Sequence, residues 1–192
     1  MKAKILGICI LLISSVAFWA PSALCAVLVM SDQQPTIQRL QHQIIVPYDI
    51  QVVTTNGHTS YQYYEYRVPD TGQTLNNATI GELEYQAALL AGCQIVSTST
   101  PALDGTYPLG DTTLIKMNGE QTYIALKGTF TSGQTTEQWL DISGNPHTFP
   151  STSEFTAFGE AMAQYMDALQ TALSAAEAGG QWQSPTQPVS IP

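Results

Sequence analysis

Apolar residues recur every three or four positions near the C-terminus and give the longest helical pattern in the chain. Ser151 and Glu154 have the spacing of a capping box directly after Pro150, and Gly179-Gly180 can end a helix. The pattern predicts a helix of about 27 residues, roughly 40 Å long, whose stripe packs on β segments earlier in the chain. The stripe consists of Phe155, Phe158, Met162, Tyr165, Leu169, Leu173 and Ala176. Four alanines make the end of the helix narrow, so its last turn could extend beyond the core and pair with that of a second copy of the chain.

Two strand-like segments upstream flank a tight turn. Ile44 to Thr54 and Thr59 to Val68 are rich in β-branched and aromatic residues. Asn56-Gly57 between them favours a two-residue hairpin loop. We therefore predict a β-hairpin over residues 44–72, and Pro47 indicates the edge of a sheet.

A two-residue loop fixes which hairpin residues oppose each other. Ile50 then opposes Tyr63, Asp49 opposes Tyr64, and Tyr48 extends the face that holds Tyr63. The other face is predicted to carry Gln51, Gln62, Tyr64 and Tyr66. Tyr64 and Tyr66 combine apolar area with a hydroxyl group, so they are candidate binding residues for a sugar or a protein. Ordinary strand-forming tyrosines would give the same pattern.

A shorter helix is indicated before the middle of the chain. Its apolar positions are Ile80, Leu83, Ala87 and Leu90. Thr79 and Glu82 have the spacing of a second capping box, and Gly92 stops the pattern. Cys93 to Ser97 then has the composition of a short strand.

Residues 111–127 fit two structures. The dipeptide Asn118-Gly119 between two apolar runs favours a second hairpin. Asp111 is nevertheless a good helix N-cap, and Leu114 and Met117 fit a helix interrupted at the glycine. The residues alone leave this choice open.

The N-terminus has the layout of a cleavable signal peptide over residues 1–26. Two lysines precede an apolar run from Ile5 to Val16, and Pro21 with small residues follows it. An uncleaved anchor is the alternative, because Ala23 to Met30 prolongs the apolar run. Cleavage after Ala26 would leave Cys93 as a lone cysteine, which is typical of a small buried residue.

Two polar segments are expected to lie outside the folded core. Residues 27–43 are rich in glutamine and predict a loosely held polar arm. Residues 179–192 contain three prolines and no periodicity, so we predict a disordered tail. Trp182 is the one candidate docking residue in that tail.

Together these elements predict an α+β fold. A small antiparallel sheet or hairpins would be packed by one long C-terminal helix and one or two shorter helices.

Charge restricts the class of partner. The formal net charge is -9, only 11% of residues are charged, and no lysine or arginine follows Lys127. Such a chain lacks the basic surface that nucleic acids require, and an anionic membrane surface would repel it after signal cleavage.

Candidate chemistry is sparse. The sequence contains no nucleophile elbow, phosphate-binding glycine loop, paired zinc cysteines or HExxH pattern. An acid–base or metal site would need Glu137, Asp141 and His147 to converge, whereas carboxylates at a hairpin end more often cap backbone N–H groups. We therefore expect a protein that is not an enzyme and that uses no cofactor and no metal.

The second half of the chain, about residues 79–178, resembles an uncharacterised domain of tail-region and prophage proteins of tailed bacteriophages. The motifs that carry the resemblance are STSTPALDGTY (Ser97 to Tyr107), the spacing of Trp139, Asp141 and Gly144, and HTFPS (His147 to Ser151). The resemblance implies that residues 111–127 are helical, and it implies no catalytic residues. Trp139 belongs to these motifs and joins the candidate binding residues.

The expected function is that of a non-enzymatic accessory protein, phage- or prophage-derived or tail-associated. Its partners would be other proteins of a phage tail or cell envelope, and a homo-oligomer is compatible with this. Its location would be the periplasm or the exterior after signal cleavage, or alternatively the virion. The alternative function is an exported protein that binds a small ligand or sugar through the tyrosine-rich hairpin. An exported hydrolase would require the convergence of Glu137, Asp141 and His147.

Overall fold

The computed structural model describes residues 27–192, so the predicted signal peptide over residues 1–26 lies outside the described residues. The chain divides into two compact units. The first ends at Leu75, and the second runs from Asn76 to Pro192.

The first unit is a four-stranded antiparallel sheet. Its strands are β1 (Val27–Ser31), β2 (Gln38–Leu40), β3 (Gln43–Thr55) and β4 (His58–Pro69), in the order β1-β4-β3-β2. The predicted loose arm is therefore wrong: β1 pairs with β4, and β2 pairs with β3. An edge strand is held by backbone hydrogen bonds, which a polar composition does not prevent.

The hairpin of β3 and β4 contains a β-bulge that changes its register. The register that a two-residue loop sets holds from Thr55 opposite His58 to Gln51 opposite Gln62. Beyond that point, Tyr48 pairs with Tyr64. The predicted pairing of Asp49 with Tyr64 is wrong, because Asp49 takes a left-handed conformation (φ 50°) and adds one residue to β3. Aspartate tolerates this conformation better than most residues. Tyr48 consequently shares a face with Tyr64 and not with Tyr63.

The second unit confirms the α+β prediction. In chain order it contains α1 (Asn77–Ala91), β5 (Cys93–Ser97), a 3-10 turn (Pro101–Leu103), β6 (Gly105–Tyr107), α2 (Asp111–Lys127), β7 (Glu137–Leu140), β8 (Pro146–Phe149), α3 (Thr152–Glu177) and β9 (Val189–Ile191). One sheet has the order β6-β5-β9, and β7 pairs with β8 in a separate hairpin. The pairing of β5 with β9 is parallel, and the other pairs are antiparallel.

Helix α3 organises this unit as its pattern predicts. The Ser151 hydroxyl accepts from the Glu154 N–H (3.2 Å) and donates to the Glu154 carboxylate (2.7 Å), which fixes the start of the helix. Every residue of the predicted stripe is buried, including Leu173 and Ala176 near its end. The overhanging last turn is therefore wrong, because α1 packs along this part of α3.

The shorter helices begin at residues other than those predicted. Asn76, and not Thr79, caps α1 by accepting from the Thr79 N–H (3.0 Å). In α2 the N-cap is Gly110, and Asp111 is the first helical residue without a side-chain capping bond. Aspartate still interacts favourably there with the helix dipole.

Residues 111–127 form a helix, as the resemblance implies, and not a hairpin. Met117 is 1% exposed, and the buried Glu120 accepts hydrogen bonds from the Thr131 N–H (2.7 Å) and hydroxyl (2.6 Å). These tertiary contacts outweigh the local turn preference of Asn118-Gly119, since glycine inside a helix costs only about 1 kcal/mol.

The predicted disordered tail is also wrong at its end. Val189–Ile191 forms β9 beside β5, and Ile191 is 3% exposed. Three residues that are extended and paired leave no periodic signal, so a proline-rich composition conceals them.

Candidate functional site

The two candidate tyrosines lie on one face of the first unit's sheet. The ring of Tyr64 stacks on that of Tyr48, with centroids 5.7 Å apart and planes 30° apart. Tyr66 lies opposite Val46, and both tyrosines are partly exposed. Burial, then Tyr64 and Asp49, raise the pKa of Tyr48, so its hydroxyl stays protonated at neutral pH and can donate a hydrogen bond.

The two candidate tryptophans are packed against the core of the second unit. Trp139 makes edge-to-face contacts with Phe155 and Phe158, at centroid distances of 5.4 and 6.5 Å. Trp182 also packs on this core, and its indole N–H donates to the Ser184 hydroxyl (3.0 Å). Both side chains are only partly exposed, so packing accounts for most of their area.

Asp141 and His147 meet at the β7–β8 hairpin. His147 Nδ1–H donates to the Ala102 carbonyl (2.8 Å), and Nε2 faces Asp141 Oδ2 at 3.4 Å. Asp141 also accepts from the backbone N–H groups of Ser143 (2.9 Å) and Asn145 (2.7 Å), and from the Asn145 amide (2.8 Å). The carboxylate thus caps the turn that joins the two strands, as carboxylates in such positions usually do.

Contacts within the unit occupy both ring nitrogens of His147. One faces the Ala102 carbonyl and the other faces the Asp141 carboxylate. Glu137 accepts instead from the Ser132 hydroxyl (3.0 Å). Among residues 27–192, no three histidine, cysteine or carboxylate side chains gather in a way that could hold a metal. The contacts of Asp141 and His147 hold this hairpin against the rest of the unit.

The Asp141 cap predicts an acid-dependent loss of stability. Hydrogen bonds from the Asn145 side chain, and then from its backbone, from His147 and from Ser143, hold the pKa of Asp141 below its ordinary value of 3.8. The carboxylate therefore stabilises the fold above pH 3.8, and this contribution is lost as the pH falls through the lowered pKa. We expect the melting temperature of Asp141→Asn to lie below that of the wild type at pH 7, and the gap to narrow as the pH is lowered below 3.8. A gap of constant size across a pH series of thermal melts would contradict this role.

Cys93 agrees with its predicted role as a buried residue. Its side chain is inaccessible, and burial raises the pKa of the thiol to about 12. A thiolate is the reactive form, so this cysteine is unsuited to nucleophilic chemistry.

The outer face of α2 is a surface that the sequence reasoning missed. We use this name for the exposed residues Ile115, Lys116, Tyr123, Leu126 and Lys127. Ile115 and Leu126 are 71% and 75% exposed and lie eleven residues apart, as do Lys116 and Lys127. Eleven residues are close to three helical turns, so an apolar line and a basic line run side by side along the helix.

Two features distinguish the outer face of α2 from ordinary surface. Lys116 and Lys127 are the only lysine or arginine residues after Arg67, although the second unit is rich in carboxylates. Gly119 lies between the exposed apolar residues, and a Cβ at that position would meet open space. The spacing of Ile115 and Leu126 would have pointed to this face once residues 111–127 were assigned as a helix.

Comparison with protein-family models, with curated proteins and with solved structures finds no match to this chain. The resemblance to a bacteriophage domain therefore stays a prediction. Within the part of the chain that the structure describes, no helix combines the length and apolar character needed to cross a membrane.

Proposed function

We propose that this chain is a non-enzymatic accessory protein of phage or prophage origin, associated with the tail, that acts by binding other proteins. The attribution to phage rests on the resemblance over residues 79–178. The binding role rests on the outer face of α2, which offers apolar side chains to a partner while the stripe of α3 is used internally.

The chemistry of the outer face of α2 defines the partner. When a partner covers exposed apolar residues, the free energy of binding becomes more favourable by about 25 cal/mol for each Å² of apolar surface removed from water. The parallel line of Lys116 and Lys127 attracts carboxylates. The complementary partner is an amphipathic protein segment with acidic residues beside an apolar line, which is a recurring mode of recognition.

The proposed location follows from the N-terminal sequence and from this role. A signal peptide over residues 1–26 would export the chain, and its partners would then be envelope or tail proteins met outside the cytoplasm. Residence on the virion is the alternative location.

Particle association tests the proposal. In cells that carry the gene, tagged wild-type chain should sediment with particles released by prophage induction, and Ile115→Ser/Leu126→Ser should not. The matched control is Leu140→Ser/Ile142→Ser, which changes two residues that are 56% and 47% exposed outside α2. This control should sediment like the wild type.

Two results would count against the proposal. A wild-type chain found only in the fractions without particles would remove the tail association. Equal sedimentation of both double variants, each shown by circular dichroism to be folded, would remove the role of α2.

A second candidate function is binding of a neutral sugar by the first unit. The observation that favours it is the stacked pair Tyr48 and Tyr64, beside which Gln51 opposes Gln62. Aromatic faces and amide side chains are complementary to the C–H and O–H groups of a sugar. Titration with neutral oligosaccharides tests this function. Loss of binding in Tyr64→Ala or Tyr66→Ala, with binding retained in Ile115→Ser/Leu126→Ser, would favour it over the first.

A further inference from the structure

Residues 187–192, which include β9, lie in a groove along the edge of β5. The backbone pairs in register, with Ile95 beside Val189, Val96 beside Ser190 and Ser97 beside Ile191. The Thr98 N–H then donates to the Ile191 carbonyl (3.0 Å), which continues the ladder beyond β5.

Gln187 extends this ladder at the other end with its side chain. Its Oε1 accepts from the Gln94 N–H (2.7 Å), and its Nε2 donates to the Gly92 carbonyl (3.3 Å) and to the Tyr165 hydroxyl. The side-chain amide thus takes the place of a peptide group beside the start of β5.

Polar and apolar contacts close the groove. Ser97 and Ser99 hydroxyls both donate to the Pro192 carbonyl at 2.8 Å. Between these ends, Ile191 is 3% exposed and belongs to the same apolar cluster as Phe158 and Leu169. The edge of β5 therefore recognises an extended segment by backbone pairing, one apolar side chain and hydroxyl donors.

Residues 183–186 form a tether that joins the segment in this groove to Trp182, which packs on the core of the unit. Among the described residues, the hydrogen bonds of residues 181–186 are confined to that between Trp182 and Ser184. The four residues of the tether span up to about 13 Å when extended, and Pro185 favours an extended conformation. The tether can therefore carry residues 187–192 away from their own β5.

We infer that the edge of β5 accepts residues 187–192 of a second copy of this chain, so that two copies exchange their last strands. The exchanged contacts are chemically the same as those within one chain, and a two-fold exchange satisfies both grooves. Only the effective concentration of the tethered segment opposes exchange, and for a short flexible tether it is in the millimolar range. The inference does not depend on the outer face of α2.

Disulfide trapping tests the exchange. In full chains carrying Cys9→Ala and Cys25→Ala, the variant Val96→Cys is mixed with the variant Ser190→Cys and oxidised mildly at high concentration. We expect a covalent dimer of one copy of each, released by reductant. The double variant Val96→Cys/Ser190→Cys is the positive control, because its two cysteines can bridge within one chain. The matched negative control mixes Val96→Cys with Ser184→Cys, which lies on the tether and outside the paired register.

Two readouts decide the inference. Light scattering of the unmodified chain should show a dimer fraction that rises with concentration and is lost in Ile191→Asp. A monomer at every concentration, or a Val96/Ser190 mixture that links no more than the negative control, would overturn it.

Discussion

Replacing Phe158 by alanine should lower the free energy of unfolding of the second unit by about 3–5 kcal/mol. Phe158 is fully buried, and its ring lies 4.7 Å from that of Tyr107 and 4.9 Å from that of Phe149. The change opens a cavity at the point where α3, β6 and β8 meet, and it removes aromatic contacts worth about 0.5–1.5 kcal/mol each.

Urea unfolding followed by tryptophan fluorescence measures this effect, because Trp139 and Trp182 both lie in the second unit. Phe158→Leu keeps most of the volume and should cost less than about 1.5 kcal/mol. Leu126→Ala, at a residue 75% exposed, should change stability by no more than about 0.5 kcal/mol. A loss below about 1 kcal/mol in Phe158→Ala would show that the ring is not packed as described.

The second large effect concerns two glycines that lie inside helices. A Cβ on Gly81 of α1 would lie 2.4 Å from the Ala176 Cβ of α3, whereas a Cβ on Gly119 of α2 would meet nothing within 4 Å. Helix propensity alone predicts that either glycine-to-alanine change stabilises by about 1 kcal/mol. Overpacking between α1 and α3 costs about 1–3 kcal/mol, so we expect Gly81→Ala to destabilise and Gly119→Ala to stabilise.

The same urea unfolding measures the change in the free energy of unfolding for both variants. A decrease for Gly81→Ala with an increase for Gly119→Ala would support the close contact of α1 with α3. Ala176→Gly added to Gly81→Ala should recover stability, since it removes the clashing methyl group. Stabilisation by Gly81→Ala would contradict the contact.

Helix α3 could be predicted from sequence because several local signals coincide there. The capping residues Ser151 and Glu154, the apolar spacing from Phe155 to Ala176 and the closing glycines all indicate one helix. No tertiary contact has to override any of these signals, so both the start of the helix and its buried face were predictable.

Other features depend on contacts that local signals do not encode. Asn118-Gly119 favours a turn, yet Met117 in the core and Glu120 on Thr131 hold the segment in a helix. The bulge at Asp49 shifts half of a hairpin by one residue, although the Asn56-Gly57 loop was predictable. Edge strands β1, β2 and β9 are held by backbone pairing, which composition does not reveal.

In the candidate site, too, some features could be predicted from local sequence and others depend on the tertiary structure. Trp139 and Trp182 attract attention in the sequence as large aromatic residues, but the structure packs Trp139 against Phe155 and Trp182 against the core of the second unit. The outer face of α2 needs the secondary structure first, because Ile115 and Leu126 share a face only in a helix. Tyr64 and Tyr66 stay candidates, with Tyr48 as an added partner that the bulge brings to Tyr64.

The role proposed for α2 depends on the packing of α3, which buries its whole apolar stripe inside its own unit. Native-state hydrogen exchange along α3 tests this packing most directly. Because α3 is packed along its length, we expect the amides from Phe158 to Leu173 to exchange only through global unfolding of the unit. Exchange of the amides from Leu169 to Leu173 at a much lower free energy than those near Phe158 would contradict it, because the end of the helix would then stand free of α1.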